Sequence, residues 1–501
     1  MKHSHVLFLF LLCFPLAVYA ELPITFDPGR RDPMTGNIVG TSSNVRWTVP
    51  ISSNTYATPV IAQGKVLMGT LNHVEWDTRR PGSRSVLLCF DEKTGEFLWQ
   101  FSLPKDSGIS VMFDAYCVGI ASTPTIVGNR AFLTTGRGEI FCLDINGLED
   151  GNDGPFTDEA RLYTHRRDDN VLPLAKTDAD VIWRYDAFGI LKAKPHDTNN
   201  CNIVHYDGLL VVNTGNSPDH SHVHVPNPEA PSLLIMDAER GIPLARDDFD
   251  IGSDISHGQW CSPGFGKVNG KEMIFYGGGN GCLYAVEAPN RETLRRQFEA
   301  NRRQLIRLEM AWKFQGDPRA HQPGGVVPPF VMGMRSPSYT CLPPPVIDSE
   351  ERIFMLFGHD AWNGAQPFRS WLTSIDARTG KLRWGTGNIE GGAVAPIAIE
   401  NGLVYMGDRN GNFYCYDAAT GKQHWKLPLR GDMWAQPLLA EGKIYIGTDR
   451  RMFYVLQAGL EPKILAEITM PDRIFAPAAV SGNTLYVAGE GFLYAIEGDR
   501  R

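Results

Sequence analysis

Three histidines in a short polar segment form the clearest metal-binding pattern in this 501-residue sequence. His220, His222 and His224 occupy alternate positions between Pro218 and Pro226. On an extended segment alternate side chains share one face, so three imidazoles could hold a divalent metal ion there. The flanking prolines equally fit an exposed loop whose histidines face only solvent. The pattern therefore makes His220, His222 and His224 the metal-site candidates, while the flanking prolines favour a solvated loop.

Hydrogen-bonding side chains beside large aromatic side chains form a second candidate site. Ring faces can stack on a flat, polar or sugar-like ligand while polar groups bind its edges. The alternative is that Trp260 and Trp434 plug a channel and that the polar groups cap loops. The candidates are Asp114, Asn199, Asn200, His257, Gln259, Trp260, Arg335, His359, Trp362, Trp434 and Arg473.

The cysteines follow a pattern of small buried positions rather than of metal ligands. Six of them recur where other copies of an internal repeat carry alanine, serine or another small residue, as buried free cysteines often do. We therefore expect at most one or two disulfides, with Cys117 as the best candidate. A thiolate metal site at Cys201, Cys261 and Cys341 is less favoured because no CxxC pair supports it. The six are Cys89, Cys142, Cys415, Cys201, Cys261 and Cys341.

A recurring corner motif predicts the elements that position these residues. Three segments are near copies: FDEKTGEFLW from Phe90 to Trp99, IDARTGKLRW from Ile375 to Trp384, and YDAATGKQHW from Tyr416 to Trp425. In each, the aspartate can accept backbone N–H groups of its own turn, and the glycine supplies a positive φ. The last corners recur at intervals of 41, 40 and 40 residues, which is typical of a four-stranded propeller blade. Weaker copies lie at Asp144, Asp237, Glu287, Gln457 and Glu497.

Eight corners predict an all-β, eight-bladed propeller of four-stranded blades over residues 44–498. The chain after Glu497 is too short for the fourth strand of blade eight. The segment from Asn44 to Pro50 reads as an isolated strand, and we expect it to complete that blade. This closure removes exposed sheet edges. The tryptophans expected to pack in outer strands are Trp47, Trp99, Trp183, Trp312, Trp384 and Trp425.

Insertions into the repeat indicate where a site would lie. Because loops on a rigid scaffold carry binding sites, the long loops of blades one to five predict one decorated binding face. Two insertions, Gly147 to Val181 and Pro289 to Leu308, are expected on the opposite face. The second predicts an amphipathic helix with Asn290 as its N-cap. Its arginines could contact an acidic partner, or they form an ordinary solvated face. Its inward residues would be Leu294, Phe298 and Leu305.

The corner aspartate, TG turn and following tryptophan resemble the pyrroloquinoline-quinone (PQQ) type repeat. That repeat occurs in eight-bladed quinoprotein alcohol dehydrogenases and in the propeller lipoprotein that assists outer-membrane barrel assembly. The dehydrogenase resemblance implies PQQ at the channel mouth, calcium as Lewis acid, an aspartate base, a nearby arginine and a tryptophan floor. It makes Asp114 the candidate base. The candidate cofactor-binding residues are Asn200, His257, Gln259, Trp260, Arg335, Trp434 and Arg473.

Two classes of function remain open on this evidence. The dehydrogenases also imply a disulfide between adjacent cysteines, whereas this sequence has no Cys-Cys pair and no CxxCH haem motif. We therefore favour a non-catalytic scaffold whose decorated face binds a protein, a glycan or another ligand. The alternative is a PQQ- and calcium-dependent alcohol or sugar dehydrogenase.

Charge and the N-terminal segment predict the compartment. A net charge of −8 without a basic block argues against nucleic-acid partners. Residues 1–20 combine a basic start, an apolar run from Val6 to Leu16 and small residues at Val18 and Ala20, which predicts a signal peptide rather than a transmembrane anchor. We expect an exported protein, periplasmic or secreted. Its divisions would be the signal peptide 1–20, an arm 21–43, the propeller 44–498 and a tail 499–501.

Overall fold

A computed structural model describes residues 21–52, 56–105, 118–166, 168, 170–219, 221–222, 224–255, 257–302, 304–327, 339–359, 369–392 and 394–498. Within these ranges eight sheets form the eight predicted blades, which confirms the fold class. Their pairing is antiparallel except for Ile306–Arg307, which adds a parallel fifth strand to blade three. A two-stranded sheet of Arg30–Arg31 and Ile38–Val39 precedes them. None of the helices described is long and apolar enough to cross a membrane.

The strands of the first four blades run in chain order from the inner to the outer strand. They are Val60–Ala62, Lys65–Leu71, Arg84–Asp91 and Phe97–Pro104 in blade one; Thr125–Val127, Arg130–Thr134, Glu139–Asp144 and Val181–Asp186 in blade two; Val204–Tyr206, Leu209–Asn213, Leu233–Asp237 and Ile242–Arg246, extended by Ile306–Arg307, in blade three; and Gly264–Val268, Lys271–Gly277, Cys282–Glu287 and Met310–Gln315 in blade four.

The last four blades follow the same order, except that the outer strand of blade eight comes from near the N-terminus. Their strands are Tyr339–Cys341 with Val346–Ile347, Arg352–His359, Arg369–Asp376 and Leu382–Glu390 in blade five; Ala398–Glu400, Leu403–Gly407, Asn412–Asp417 and Gln423–Pro428 in blade six; Leu438–Ala440, Lys443–Gly447, Met452–Gln457 and Ile464–Thr469 in blade seven; and Ala479–Ser481, Thr484–Ala488, Phe492–Glu497 and Val45–Pro50 in blade eight. The helices are Glu159–Leu162, Ala187–Leu191 and Arg291–Ala300, with 3₁₀ turns at Gly147–Glu149, Gly252–Asp254 and Pro318–His321.

The predicted ring closure is present. Val45–Pro50 pairs antiparallel with Phe492–Glu497, and Thr48 lies opposite Tyr494. The middle strands are buried on both faces because each blade packs between two others. Arg84–Asp91, for example, is buried along its whole length except for the final aspartate. Among the described residues, each pair of neighbouring blades encloses its own hydrophobic cluster.

The predicted outer-strand tryptophans join six of the eight blades to the next one; the outer strands of blades three and seven carry no tryptophan. Each indole N–H donates to a backbone carbonyl at the corner of the following blade. Except for Trp425, each ring also covers a corner glycine, which has no side chain to obstruct it: a Cβ on Gly241 would lie 2.3 Å from Trp183. The bonds, 3.0–3.1 Å long, run from Trp47 to Glu92, Trp99 to Ile145, Trp183 to Ala238, Trp312 to Ala377, Trp384 to Ala418 and Trp425 to Gly459.

The corner aspartates bond as the motif predicts. Asp417 Oδ1 accepts the N–H groups of Ala419 and Thr420 at 3.1 and 2.8 Å, together with the Thr420 hydroxyl at 2.7 Å. Asp91 and Asp376 make the same three bonds. Because these bonds form within one short turn, each copy needs the same residue types, and the repeat can be recognised in the sequence.

The segment before the ring packs against the last two blades. The Leu22 N–H donates to Glu441 at 2.8 Å, and Leu22 and Phe26 are buried in the cluster between blades seven and eight. Arg31 pairs with Asp472 at 2.7 Å. The predicted leader, residues 1–20, lies outside the described residues.

The helix Arg291–Ala300 begins where the sequence indicates. Asn290 accepts the Thr293 N–H at 3.1 Å, and Leu294 is buried, with Phe298 packed beside it. Leu305 follows the helix instead of belonging to it and packs between blades two and three. Several arginines of this insertion form ion pairs with carboxylates of the same chain. These internal ion pairs favour an ordinary charged surface over a binding site for an acidic partner. These pairs are Arg291 and Arg295 with Asp237 and Glu239, Arg302 with Glu299, and Arg307 with Asp248.

Candidate functional site at the channel mouth

A pocket of about 310 Å³ lies at the mouth of the central channel, on the decorated face. Each of the eight blades contributes to it, because the lining residues come from the loops that enter the inner strands. Four aromatic side chains stand among polar and aliphatic residues in its lining. The described lining is Tyr56, Thr58, Val118, Ala121, Thr123, Asp197, Thr198, Asn200, Asn202, Trp260, Ser262, Leu342, Pro343, Pro344, Val394, Pro396, Trp434, Gln436, Phe475 and Pro477.

Four aromatic rings shape this mouth pocket. Tyr56, Trp434 and Phe475 pack against one another with centroids 5.7–6.4 Å apart. Trp260 lies four blades away from Phe475, and its indole N–H donates to the Thr198 carbonyl at 3.1 Å. The orientation of each ring is therefore set by protein contacts, which leaves a rigid, partly apolar wall for a ligand.

The structure places three of the predicted binding residues, Asn200, Trp260 and Trp434, in the lining of the mouth pocket. Arg473 lies behind that lining, with its guanidinium 5.5 Å from the Phe475 ring and bound to Glu490 at 2.6 Å.

Two of the predicted site residues, Gln259 and Asn199, form hydrogen bonds inside the protein instead of lining the mouth pocket. Gln259 is fully buried; it donates to the Ser232 hydroxyl at 2.8 Å and accepts from the Tyr276 hydroxyl at 2.9 Å. Asn199 caps its own loop by accepting the Cys201 N–H at 3.1 Å and donating to the Asn213 carbonyl at 2.9 Å. The candidates Asp114, His220, Arg335 and Trp362 lie outside the described residues, as does the His359 side chain.

Three imidazoles converge directly behind this wall. One ring nitrogen each of His196, His222 and His257 lies within 4.8 Å of the others, and the ring centroids are 4.5–4.6 Å apart. His196 and His257 are only 3% and 4% exposed. The His257 ring also contacts Trp260, at 4.8 Å between centroids. We call these three residues the histidine triad.

This triad differs from the set predicted at alternate positions. His222 belongs to it, whereas His224 is exposed and lies outside it. The reason is local backbone geometry: His222 has a left-handed φ of 57°, and its N–H donates to the Asp219 carbonyl at 3.0 Å. The segment is therefore a tight turn instead of an extended strand, so alternate side chains do not share a face. Sequence reasoning missed His196 because nothing near it repeats.

Hydrogen bonding prepares His196 for metal binding. Its Nδ1 lies 2.9 Å from the Pro218 carbonyl, which can only accept, so Nδ1 carries the proton. Nε2 of the neutral ring then holds the lone pair, the arrangement usual for a metal-bound histidine. The Asp197 carboxylate lies 3.4 Å from Nε2 and also lines the mouth pocket. Three imidazoles are a donor set suited to zinc, copper or iron.

The described cysteines are buried free thiols, as the repeat predicts. Cys261 Sγ donates to the Pro343 carbonyl at 3.2 Å, and Cys201 Sγ to the Gln259 carbonyl at 3.5 Å. Burial raises the pKa of Cys261 to about 12 and raises that of Cys201 as well. Thiols in this state are poor metal ligands. Cys117, the predicted disulfide candidate, lies outside the described residues.

We therefore expect these thiols to resist alkylation in the folded protein. Iodoacetamide should modify the seven described cysteines only after denaturation, because burial suppresses the reactive thiolate. Mass spectrometry before and after unfolding in guanidinium measures this difference. Rapid native labelling of Cys201 or Cys261 would show that the channel wall opens readily.

The described residues at the mouth do not fit PQQ with calcium. PQQ carries three carboxylates, which proteins usually bind with Arg or Lys. No cationic side chain lines the described part of the mouth pocket, whereas Asp197 does. The neighbouring Arg409 and Arg473 face Asp432 and Glu490. The three clustered imidazoles are also not the oxygen ligands that calcium prefers.

Comparison with known proteins agrees with the fold. Residues 83–217 and 369–459 match the family described as outer membrane protein assembly factor BamB. Similar solved structures include a europium-containing methanol dehydrogenase, with 13% identity, a TM-score of 0.54, and 89% of this chain and 85% of that chain covered. BamB from Moraxella catarrhalis has 11% identity and a TM-score of 0.49, covering 91% and 99%. The designed protein Ika8 has 10% identity and a TM-score of 0.50, covering 89% and 98%.

At these identities the structural likeness shows the fold alone. Among curated proteins, none matches the sequence. The corner repeats and the family match over these two segments make the chain similar to proteins with the PQQ-type repeat, and its eight four-stranded blades form an eight-bladed β-propeller.

Proposed function

We propose that this protein is an exported propeller that binds a neutral saccharide in the mouth pocket. The observation that carries the proposal is the composition of the pocket wall. Four aromatic rings stand beside amide, hydroxyl and carboxylate groups, and the described lining has no cationic side chain. Aromatic faces stack against the C–H faces of sugar rings, while amides and carboxylates bind the hydroxyl groups. The lack of cations there disfavours polyanionic ligands.

Export rests on the leader pattern of residues 1–20, with a periplasmic or secreted location as the expectation. The family description names an outer membrane protein assembly factor, so a protein partner on the same decorated face is the alternative. The rigid, concave pocket favours a small ligand, because protein interfaces of specific complexes are broader and flatter.

The histidine triad supplies the second part of the proposal, a bound divalent transition-metal ion. The loop of His196 also carries Asp197 and Thr198, and the loop of His257 leads to Trp260. All three of these neighbours line the mouth pocket. A metal ion on the triad would therefore tie together the loops that build one side of the pocket and hold Trp260 in its stacking position.

The saccharide proposal predicts that Trp434→Ala weakens binding about thirtyfold. Removing a central aromatic contact in a small site typically costs about 2 kcal/mol. Isothermal titration of the full chain with neutral mono- and oligosaccharides measures the effect. Leu460→Ala is the matched control: Leu460 also belongs to blade seven, but it is 62% exposed and lies outside the pocket.

Two results would contradict this proposal. The first is the absence of saccharide binding by the wild-type chain at millimolar concentrations. The second is saturable PQQ binding in the presence of calcium, followed by the quinone absorbance, together with dye reduction by alcohols or aldoses. That second result would establish the quinoprotein alternative.

A further inference from the structure

An insertion in blade two gathers four carboxylates on the face opposite the mouth pocket. Asp144 ends the third strand of this blade, and Asp180 directly precedes the outer strand. Asp153 and Glu159 lie in the insertion between them. One carboxylate oxygen each of Asp144, Asp153 and Asp180 lies within 4.8 Å of the other two.

Few positively charged groups of the described residues lie beside these carboxylates. Asp144 accepts from the Arg130 guanidinium and, at 3.1 Å, from the Asn129 amide. Asp180 Oδ2 accepts the Asp153 N–H at 3.0 Å. Among the described residues, the Arg130 guanidinium forms an ion pair with this group of three clustered aspartates, and the Glu159 carboxylate adds a further negative charge near Asp180.

Two oxygens of the group have no hydrogen-bond donor among the described residues. Asp180 and Glu159 are both 0% exposed, yet Asp180 Oδ1 and Glu159 Oε1 accept no hydrogen bond there. The other Glu159 oxygen accepts from the Asn152 amide at 3.2 Å. A buried carboxylate oxygen without a donor is strongly destabilising, and a bound cation removes that cost. Burial, together with the charges of Glu159, Asp144 and Asp153, raises the pKa of Asp180 to about 7.

We propose that Asp144, Asp153, Asp180 and Glu159 bind a calcium ion. All four offer hard oxygen ligands, which calcium prefers and which the imidazoles of the triad do not supply. The carboxylates come from a strand end, a loop and the start of a short helix, and such an irregular arrangement suits the flexible coordination of calcium better than the strict octahedron of magnesium. The ion would fasten the insertion to the corner of blade two. The site is separate from the proposed saccharide site and lies on the other face of the ring.

Calcium titration of the EDTA-treated full chain tests the proposal. We expect saturable binding at one site, with a Kd on the order of 10⁻⁴ M or tighter, and a rise in Tm when calcium is added. Asp180→Asn should lose both the binding and the Tm shift. Because the amide removes a buried charge, this variant should fold with a calcium-free Tm no lower than that of the wild type. Asp158→Asn, an exposed neighbour, should behave like the wild type.

Three outcomes would overturn the proposal. They are the absence of calcium binding by the wild type at millimolar concentrations, unchanged binding by Asp180→Asn, and a calcium response that His196→Ala abolishes. Glu159→Gln is the second variant if Asp180→Asn does not fold, and it too should lose calcium binding.

Discussion

Replacing His196 or His257 with alanine is expected to weaken zinc binding at least about 100-fold. Structural zinc sites with complete ligand sets supply about 10–16 kcal/mol, so the loss of one imidazole of three removes a large share of the affinity. Both rings are almost fully buried. Competition with a chromogenic chelator, or titration calorimetry of the metal-free chain, measures the change.

His224→Ala is the matched control for this experiment. His224 is exposed and lies outside the triad, so its removal should leave zinc affinity unchanged. A large loss in His224→Ala together with full binding by His196→Ala would instead support the set predicted from alternate positions. If His196→Ala, His257→Ala and His224→Ala all bind zinc as tightly as the wild type, the histidine triad is not the metal site.

Metal binding by the triad should also strengthen saccharide binding. The ion would link the His196 and His257 loops, which carry Asp197 and Trp260 to the pocket wall. Removing the ion with a chelator should therefore raise the Kd for the saccharide. Rigid, preorganised sites bind more tightly because less ordering accompanies binding. If zinc binds without changing the saccharide affinity, the ion does not help to order the pocket wall. The proposal that the mouth pocket binds a saccharide would be unaffected.

Gly421→Ala is expected to destabilise the propeller by about 3 kcal/mol, whereas Gly402→Ala should cost only about 1 kcal/mol. Both glycines lie in blade six and have a left-handed backbone, with φ of 71° and 77°. They differ in what a side chain would meet. A Cβ on Gly421 would lie 2.5 Å from the Trp384 ring, whereas nothing lies within 4 Å of one on Gly402.

The pair of variants therefore separates backbone strain from the contact between blades. Gly402→Ala measures the strain alone, and Gly421→Ala adds the displacement of Trp384, whose N–H bonds the Ala418 carbonyl at 3.1 Å. Denaturation midpoints in urea, compared at equal m-value, measure both costs. Equal costs for the two variants would show that the tryptophan ring is not held against the corner. In the double variant Trp384→Leu with Gly421→Ala, the excess cost should largely disappear.

The architecture was predictable because its determinants are local and recur. Asp417, Thr420 and Gly421 form a turn whose bonds all lie within four residues, and the same residue types stand 41 residues earlier at Asp376, Thr379 and Gly380. In the three clearest copies of the motif the outer-strand tryptophan follows the corner aspartate by 8 residues. Eight blades, the closing strand and the buried cysteines could therefore be derived from spacing alone.

The site was only partly predictable, since its residues come from separate insertions. Asn200, Trp260 and Trp434 reach the pocket because each lies just before an inner strand, a position that the repeat identifies. Gln259, one residue from Trp260, points into the core instead and bonds Ser232 and Tyr276. The direction of a loop side chain depends on packing with other blades, which local sequence does not encode.

The eightfold ring and the face that carries the long loops were predictable from residue spacing. The hydrogen bonds of each corner turn are local, so the residues that form them recur at regular intervals along the chain. Only the tertiary structure brought His196, His222 and His257 together, since they lie on separate loops with no period. It likewise placed Asp153, Asp180 and Glu159 beside a corner aspartate that the repeat had marked as a turn residue only. Convergence of separate insertions is a property of the closed ring and cannot be read from any one segment of the chain.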